Sequence, residues 1–477
     1  MFGRFSDQEG KMKIKKLQIV GIILSAILFI AIMQIPVSNS FPMTARNTLA
    51  LLAVTIIFLV TEVLPIGITC LGCTALMVIL GCTDSISTAL SGYTNKVVWF
   101  VIASFGVSEA LVSVPVTQRL LVFLMKKFGK NSKLLLLAIM VCCAVLSSVI
   151  SSVAAAAVFI PIVMKFADIC ENPDDRKRLL RCYMIGLPIA SSLGGMMTPA
   201  GSSVTMLVIN QLEIHTGITI SFVHWMMFGI PACVIMLPIT WFIVTHVHRP
   251  PEIMPDKIKT YIEDISVKER FSKKELYVCL IVVIMLILWI LSSWYPVLDI
   301  TIVALIGTMF FFIPGFQILT WKQFEKCIGW NAFILLATMI SMGSVISASG
   351  LGSWISNALF PTGISWSPYV ILLFIVATTF LLMIPIPVAP ALVGMLAASW
   401  CAFGNSSGLS PYIIMVAVGL TVANCNFLPL DTVPVMTYST GSYKMFEMTK
   451  CTALNQLIMI FLIPAIVCIV GMILKIF

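Results

Sequence analysis

The chain is written in long apolar runs separated by short polar stretches. The runs fall at about 17–35, 47–65, 67–82, 97–125, 134–166, 182–212, 221–246, 276–294, 299–315, 329–348, 368–404, 411–440 and 451–474. Their apolar residues are continuous rather than alternating. The pattern therefore predicts membrane-crossing helices, each needing about 20 apolar residues, and excludes a transmembrane β-barrel, whose strands alternate. Several runs are too long or too interrupted for one simple helix. The run 134–166 is rich in Ser and Ala. The run 182–212 is broken by Gly194, Gly195, Pro199 and Gly201, the run 368–404 by Pro385, Pro387 and Pro390, and the run 411–440 by Asn424, Asn426, Pro429, Asp431 and Pro434.

Charge placement converts these runs into a topology. The basic N-terminus (Lys11, Lys13, Lys15, Lys16) is set in the cytoplasm, and 134–166 and 368–404 are treated as re-entrant hairpins. Then Lys126, Lys127, Lys130, Arg176, Lys177, Arg178, Arg181, the polar linker 249–275, Lys322, Lys326, Lys444 and Lys450 all fall inside, leaving Arg46, Lys96 and Lys475 outside. This satisfies the positive-inside rule and places the C-terminus outside after about eleven spans. The run 17–35 follows a basic segment and precedes no clear small-residue cleavage site, so it reads as a retained first helix rather than a signal peptide.

Composition agrees. Of 477 residues, 60% are hydrophobic and 10% charged, against about 25% charged in a soluble domain. That excludes a water-soluble enzyme and intrinsic disorder. The net charge of +9 belongs to cytoplasmic loops rather than to a nucleic-acid surface. The 14 Cys lie mostly inside apolar runs and read as small hydrophobes, not metal ligands or disulfides.

The linker 249–275 divides the chain. After a basic N-terminus and first helix (1–45) come two halves, 46–248 and 276–477. Each half carries an aromatic-led helix (from Trp99, from Trp330), a hairpin (134–166, 368–404), and a helix broken at a polar Pro-containing stretch: TPAGSS from Thr198 and LPLDTVP from Leu428. One hairpin opens inside and the other outside, so the repeats are expected to be inverted. Paired broken helices in inverted repeats point to a transporter's binding site. Backbone unwound at membrane depth needs a polar or wet surrounding, and restarting helices aim positive N-terminal ends at the gap, which favours an anion.

Residues at these places resemble the divalent anion:sodium symporter family from about residue 45 onward. TEVLPIGIT (Thr61–Thr69) is similar to the family's T-E-A-L-P-L-x-x-T. SSVAAAAVFIPI from Ser151 aligns with its first hairpin tip. TPAGSSVT from Thr198 and FLPLDTVPVMTYSTGSYKMFEM from Phe427 resemble its two G-T-P-x-G-T-P-P-N-type loops. The resemblance implies an all-α polytopic homodimer of elevator type, carrying dicarboxylates, citrate or sulfate with sodium. It implies substrate contacts at Ser151, Ser152, Ser202, Ser203, Thr205, Thr432 and Pro434, cation coupling through Ser151, Thr198 and Gly201, and a sodium ion near Ser151, Ser152 and Gly201; to both cation sets the chain's own residues add Asp431. The chain also departs from the family. The family's first S-N-T reads Ser151, Ser152, Val153 here and the second reads Ile386, Pro387, Val388, while Thr205 and Val435 replace the terminal Asn of each loop. The second half keeps Thr432 and Thr437.

Asp431 stands where the family has a small neutral residue. An ionisable group at mid-membrane is functional by default. Three roles are open: a carboxylate ligand to a cation, a carrier of the coupling proton, or a structural acceptor for helix N-termini. Beside an anionic substrate it must be neutralised by a cation or proton, and it leaves a zwitterion or monocarboxylate open as substrate. Glu62 reads as a scaffold residue, and Glu109 is expected to pair with Arg119 or to face the core of the mobile domain. His215, His224, His246 and His248 lie at helix ends or loops without a metal-binding spacing, and His246 and His248 beside Arg249 read as a cytoplasmic edge. Trp99, Trp225, Trp241, Trp294 and Trp330 read as interfacial anchors. No nucleotide-binding motif is present, so an ion or counter-substrate gradient must drive transport. The sequence thus favours a cation-coupled carrier of di- or tricarboxylates, with an exchanger or proton-coupled carrier as the alternative. It offers no paired catalytic groups for an intramembrane enzyme and no polar stripe for a channel. No cofactor or nucleic-acid partner is expected beyond the coupling ion, the substrate and the bilayer.

Overall fold

The computed structural model describes residues 16–128, 131–266, 270–295, 297–360, 366–424, 426–429 and 431–476. Lys11, Lys13, Lys15 and Lys130, which the charge pattern sets inside, lie outside the described residues. Among the described residues the chain forms 22 α-helices and two short 3-10 turns, with no β-strand.

After helix Lys16–Met33, the same order of elements runs twice. The first series is Met43–Thr61, Ile66–Ile79, the single turn Ile86–Ala89, the pair Lys96–Val112 and Val116–Phe128, the hairpin Ser132–Ser147 and Ser152–Ala167, the interrupted helix Pro173–Gly195 and Ser203–Thr216, and the closing helix Phe222–His248. The second is Lys273–Leu291, Ile300–Phe310, Trp321–Cys327, the pair Trp330–Ala348 and Leu351–Leu359, the hairpin Pro368–Met383 and Ala389–Ser407, the interrupted helix Pro411–Val422 and Thr432–Tyr438, and the closing helix Met445–Ile473. Helix Pro255–Asp264 occupies the linker, with Pro255 at its first position and Ile258, Tyr261 and Ile262 buried.

Among the described residues five helices are long and apolar enough to cross a membrane, and seven more apolar helices have 10–17 residues. The apolar run 97–125 is two helices bent by 63°. Pro115 sits at the bend. It lacks an N–H and drives Val114 away from helical backbone angles. The exterior is apolar. Ile19, Ile23 and Ile27 on the first helix and Leu280, Val283 and Ile287 on helix Lys273–Leu291 are all exposed. Patches of that extent are untenable in water and natural in lipid, so the chain is a multi-pass membrane protein.

Ion pairs tie helix ends and loops together. Lys165 meets Asp264 at 3.0 Å, Lys257 meets Glu171 at 2.6 Å, Arg181 meets Glu447 at 3.3 Å, and His248 Nε2 lies 3.0 Å from the Glu447 carbonyl oxygen. Lys257 holds the Glu171 carboxyl below the usual carboxylate range. Arg119 pairs with Glu275 at 2.6 Å rather than with Glu109. The reason is the bend, which turns helix Val116–Phe128 toward the start of helix Lys273–Leu291. Gln118 Nε2 donates to the Ile265 carbonyl there as well.

Candidate functional site

The first hairpin turns at Ser148–Ser151 and packs on helix Pro173–Gly195. Ser151 caps the second arm, its Oγ accepting from the Ala154 N–H at 3.2 Å. Such a cap satisfies one of the free amides of a helix's first turn. Helix Pro173–Gly195 ends in a glycine pair, and the chain unwinds through Met196–Ser202 before restarting at Ser203. Ser202 caps the restart, accepting from Val204 N at 3.3 Å.

Hairpin tip and break are stitched by hydroxyls. Ser147 Oγ donates to the Ser191 carbonyl at 2.6 Å, Ser191 Oγ to the Ser152 carbonyl at 2.6 Å, and Ser152 Oγ to the Gly201 carbonyl at 3.3 Å. Thr198 Oγ1 donates to the Ser148 carbonyl and accepts from Gly201 N. The approach is close enough to require glycine: a Cβ on Gly201 would stand 2.6 Å from the Ser147 carbonyl oxygen, and one on Gly194 would stand 2.2 Å from that of Ala144. Ser151, Ser152, Thr198, Gly201 and Ser202 therefore form one oxygen-rich cluster. Thr205 lies one turn into the restarted helix, fully buried, its hydroxyl without a hydrogen-bond partner among the described residues. Ser203 begins that helix, half-buried.

The second interrupted helix breaks between Val422 and Thr432. Its closing helix braces it: Gln456, with its amide oriented to suit, accepts from Asn426 N and Phe427 N at 3.1 Å, while Thr449 and Thr452 donate to the Phe427 carbonyl. The first break is braced in the same manner by Trp225, whose Nε1 donates to the Met196 carbonyl at 2.9 Å. Trp225 is thus fully buried and is not an interfacial anchor. Trp99, Trp294 and Trp330 are half exposed.

The two breaks touch. Ser192 Oγ lies 3.4 Å from Asn426 Oδ1, and Asn424 Nδ2 lies 2.9 Å from Met196 Sδ. Asn424 Oδ1 is buried without a partner among the described residues. Asp431 caps the short helix Thr432–Tyr438, its carboxylate accepting from Thr432 N at 2.7 Å. That helix packs against both Ser152–Ala167 and Pro173–Gly195. Among the described residues Asp431 makes no hydrogen bond to Ser151, Ser152 or Gly201, so the carboxylate and the first cluster are neighbours in packing rather than bonded partners. Thr432 is exposed and Pro434 buried. Thr437 is committed elsewhere, to the Pro434 carbonyl at 3.0 Å and Tyr443 at 2.9 Å.

The second hairpin differs. Its tip, Ile384–Val388, has no hydroxyl, and Val388 and Ala391 pack with Leu59, Cys70 and Met339. The chemistry is therefore lopsided: hydroxyls and carbonyls from the first half, amides and one carboxylate from the second. Ser147, Ser191, Ser192, Asn424 and Asn426 belong to this centre although motif alignment does not single them out. Their signal was a polar side chain inside an otherwise apolar run. No group of three or more His, Cys, Asp or Glu able to hold a metal occurs among the described residues.

Comparison with known proteins follows this geometry. The family model described as the sodium:sulfate symporter transmembrane region matches residues 16–477. A Bacillus subtilis protein named for malate transport, YflS, is 26% identical over 371 residues, covering 75% of each chain. The sodium-dependent dicarboxylate transporter SdcS of Staphylococcus aureus is 25% identical over 378 residues, 74% of this chain and 72% of that one. Its Staphylococcus saprophyticus counterpart is 23% identical over 473 residues, 94% and 90%. The crystal structure of the Alcanivorax borkumensis YdaH transporter shares the fold, with a TM-score of 0.53 at 16% identity over 79% of this chain and 86% of that one. The chain is therefore a transporter, not an enzyme, and belongs to the family of the sodium:sulfate symporter transmembrane region.

Proposed function

We propose that this protein is a secondary active transporter of small di- or tricarboxylates, driven by a cation and working by alternating access. The observation that carries the reading is the meeting of the two breaks, Ser192 with Asn426 and Met196 with Asn424, beside the hydroxyl-lined first hairpin tip. Relatives named for malate and sodium-dependent dicarboxylate transport support the substrate class.

In this reading the two halves are inverted repeats, with about eleven spans and the two hairpins re-entrant. Each arm of the first hairpin has 16 residues, about 24 Å at helical rise, short of a hydrocarbon core of about 30 Å. The N-terminus lies in the cytoplasm and the C-terminus outside. The protein is a homodimer whose hairpins and interrupted helices move as an elevator. Sodium is a hard cation that takes oxygen ligands, by the logic of such ions. The first cluster supplies them from Ser151, Ser152, Thr198 and Gly201, and Asp431 adds the carboxylate. Ser202, Ser203, Thr205, Thr432 and Pro434 face the carboxylate substrate. The orphaned Asn424 oxygen is an acceptor and turns instead to the cation or to a hydroxyl of the substrate, since an unpaired buried acceptor costs about 1–3 kcal/mol unless a donor or cation meets it.

A second reading is an exchanger or proton-coupled carrier of another anion or a zwitterion. The apolar second hairpin tip favours it, because that half then binds no sodium and Asp431 carries the proton. Uptake of labelled succinate into proteoliposomes separates the two, with sodium and pH gradients imposed separately. Sodium-driven uptake that loses its sodium dependence in Asp431→Asn supports the first reading. Proton-driven uptake that becomes pH-insensitive in that variant supports the second. No uptake or exchange of any carboxylate under either gradient overturns both.

A further inference from the structure

A cavity lined by charged residues is left unused by the transport reading. It measures about 490 Å³ and lies between the start of the first hairpin, helix Pro173–Gly195 and the end of helix Phe222–His248. Its charged lining is Lys133, Asp175, Arg178, His246, Arg249 and Glu252. Arg178 is partly spent on Asp175, at 3.5 Å, and its Nη2 donates to the Arg249 carbonyl at 3.4 Å. Lys133 and Arg249 make no ion pair among the described residues, and both are exposed. They outnumber Glu252, which makes no ion pair among the described residues. Arg249 also leaves its helix with φ +21°, a conformation a non-glycine residue holds only under constraint.

A lipid-facing track leads to this cavity. Along helix Phe222–His248, Val234, Ile235, Pro238 and Phe242 are exposed in one continuous stripe, which ends at His246. Phe242 stacks on the His246 ring, centroids 5.4 Å apart. Trp241, beside it, donates from Nε1 to the Lys133 carbonyl at 2.7 Å, as an aromatic group at a membrane–water boundary does. One apolar lane and one basic cavity thus meet at His246. Basic pockets on the cytoplasmic side of a bundle recognise anionic headgroups.

We propose that this cavity binds the phosphate of an acidic phospholipid, with Lys133 and Arg249 as its cationic contacts and an acyl chain along Val234, Pro238 and Phe242. The inference rests on the membrane placement of helix Phe222–His248 and not on which substrate is carried, so the two fail separately. A soluble phosphate would need the basic cavity but not the apolar lane.

The test is native mass spectrometry of the full chain, purified from liposomes of equal phosphatidylglycerol and phosphatidylcholine. Wild type is expected to retain phosphatidylglycerol selectively. Retention falls by roughly fivefold for each cation removed in Lys133→Gln and Arg249→Gln, whereas Glu252→Gln raises it. The opposite sign of the last variant separates a headgroup effect from misfolding. Equal retention in all variants overturns the proposal. Displacement of the lipid by millimolar inorganic phosphate reassigns the cavity to a soluble anion and overturns the lipid, and retention seen only in dimers, lost on dissociation, places a second copy on this face and overturns it too.

Discussion

Replacing Gly201 by Ala tests whether contact between the first hairpin tip and the first break underlies cation binding. The new Cβ would stand 2.6 Å from the Ser147 carbonyl oxygen, 2.7 Å from the Gly195 carbonyl oxygen and 2.9 Å from Gly195 Cα. All three are backbone atoms, so no side chain can swing aside. Relief requires tip and break to separate, which breaks the 3.3 Å bond from Ser152 Oγ to the Gly201 carbonyl and moves that carbonyl away from the other oxygens. Overpacking of this kind costs about 1–3 kcal/mol. Because the cost falls only on the conformation in which tip and break touch, it weakens sodium affinity by roughly 5- to 150-fold. The assay is half-saturation by sodium in succinate uptake, with melting temperature in detergent measured alongside. Gly72→Ala is the control: its Cβ meets nothing within 4 Å, and the substitution stabilises helix Ile66–Ile79 by about 1 kcal/mol without touching the site. Wild-type sodium dependence in Gly201→Ala would refute the reasoning.

Other predictions follow from the same contacts. Ser152→Ala removes the Ser147 and Gly201 links and is expected to weaken sodium half-saturation by roughly 30-fold at about 1 kcal/mol per bond; an unchanged value would exclude Ser152 from the cation site. Arg119→Met strands the Glu275 carboxylate, of whose side chain only 4% is exposed, and is expected to lower stability by about 3–5 kcal/mol, with partial recovery in the double variant with Glu275→Gln; thermal melting reads both. Trp225→Phe deletes the bond that holds the Met196 carbonyl, so substrate affinity is expected to fall more than maximal rate, and equal binding would show that the brace is dispensable. Lys257 depresses the Glu171 carboxyl, so their tie is present at neutral pH and is lost as pH falls through that lowered value; melting curves of Glu171→Gln and wild type are expected to converge in acid.

Much of the architecture was legible because helices in lipid must satisfy their own backbone. Apolar runs and their Pro and Gly interruptions therefore marked the hairpins and both breaks within a few residues. The bend at Pro115 was not legible, because the apolar run 97–125 continues past it. Partners distant in sequence were not legible. Arg119 and Glu275 are separated by 156 positions, and nothing local favours that pair over Glu109. Trp225 looked like an anchor because it lies near the start of a run, yet tertiary packing draws it onto the first break. Asn424 and Asn426 were visible as polar interruptions, but their contact with Met196 and Ser192 required two halves of the chain to fold against each other.

Counterflow tests the central claim most directly. Proteoliposomes preloaded with unlabelled succinate, diluted into a trace of labelled succinate with no ion gradient, measure whether one site exchanges sides. The account predicts transient accumulation of label above equilibrium, saturable in succinate and needing a higher sodium concentration in Gly201→Ala. A flux that never overshoots and rises linearly with concentration would contradict it, leaving the two touching breaks without a carrier's role for this substrate.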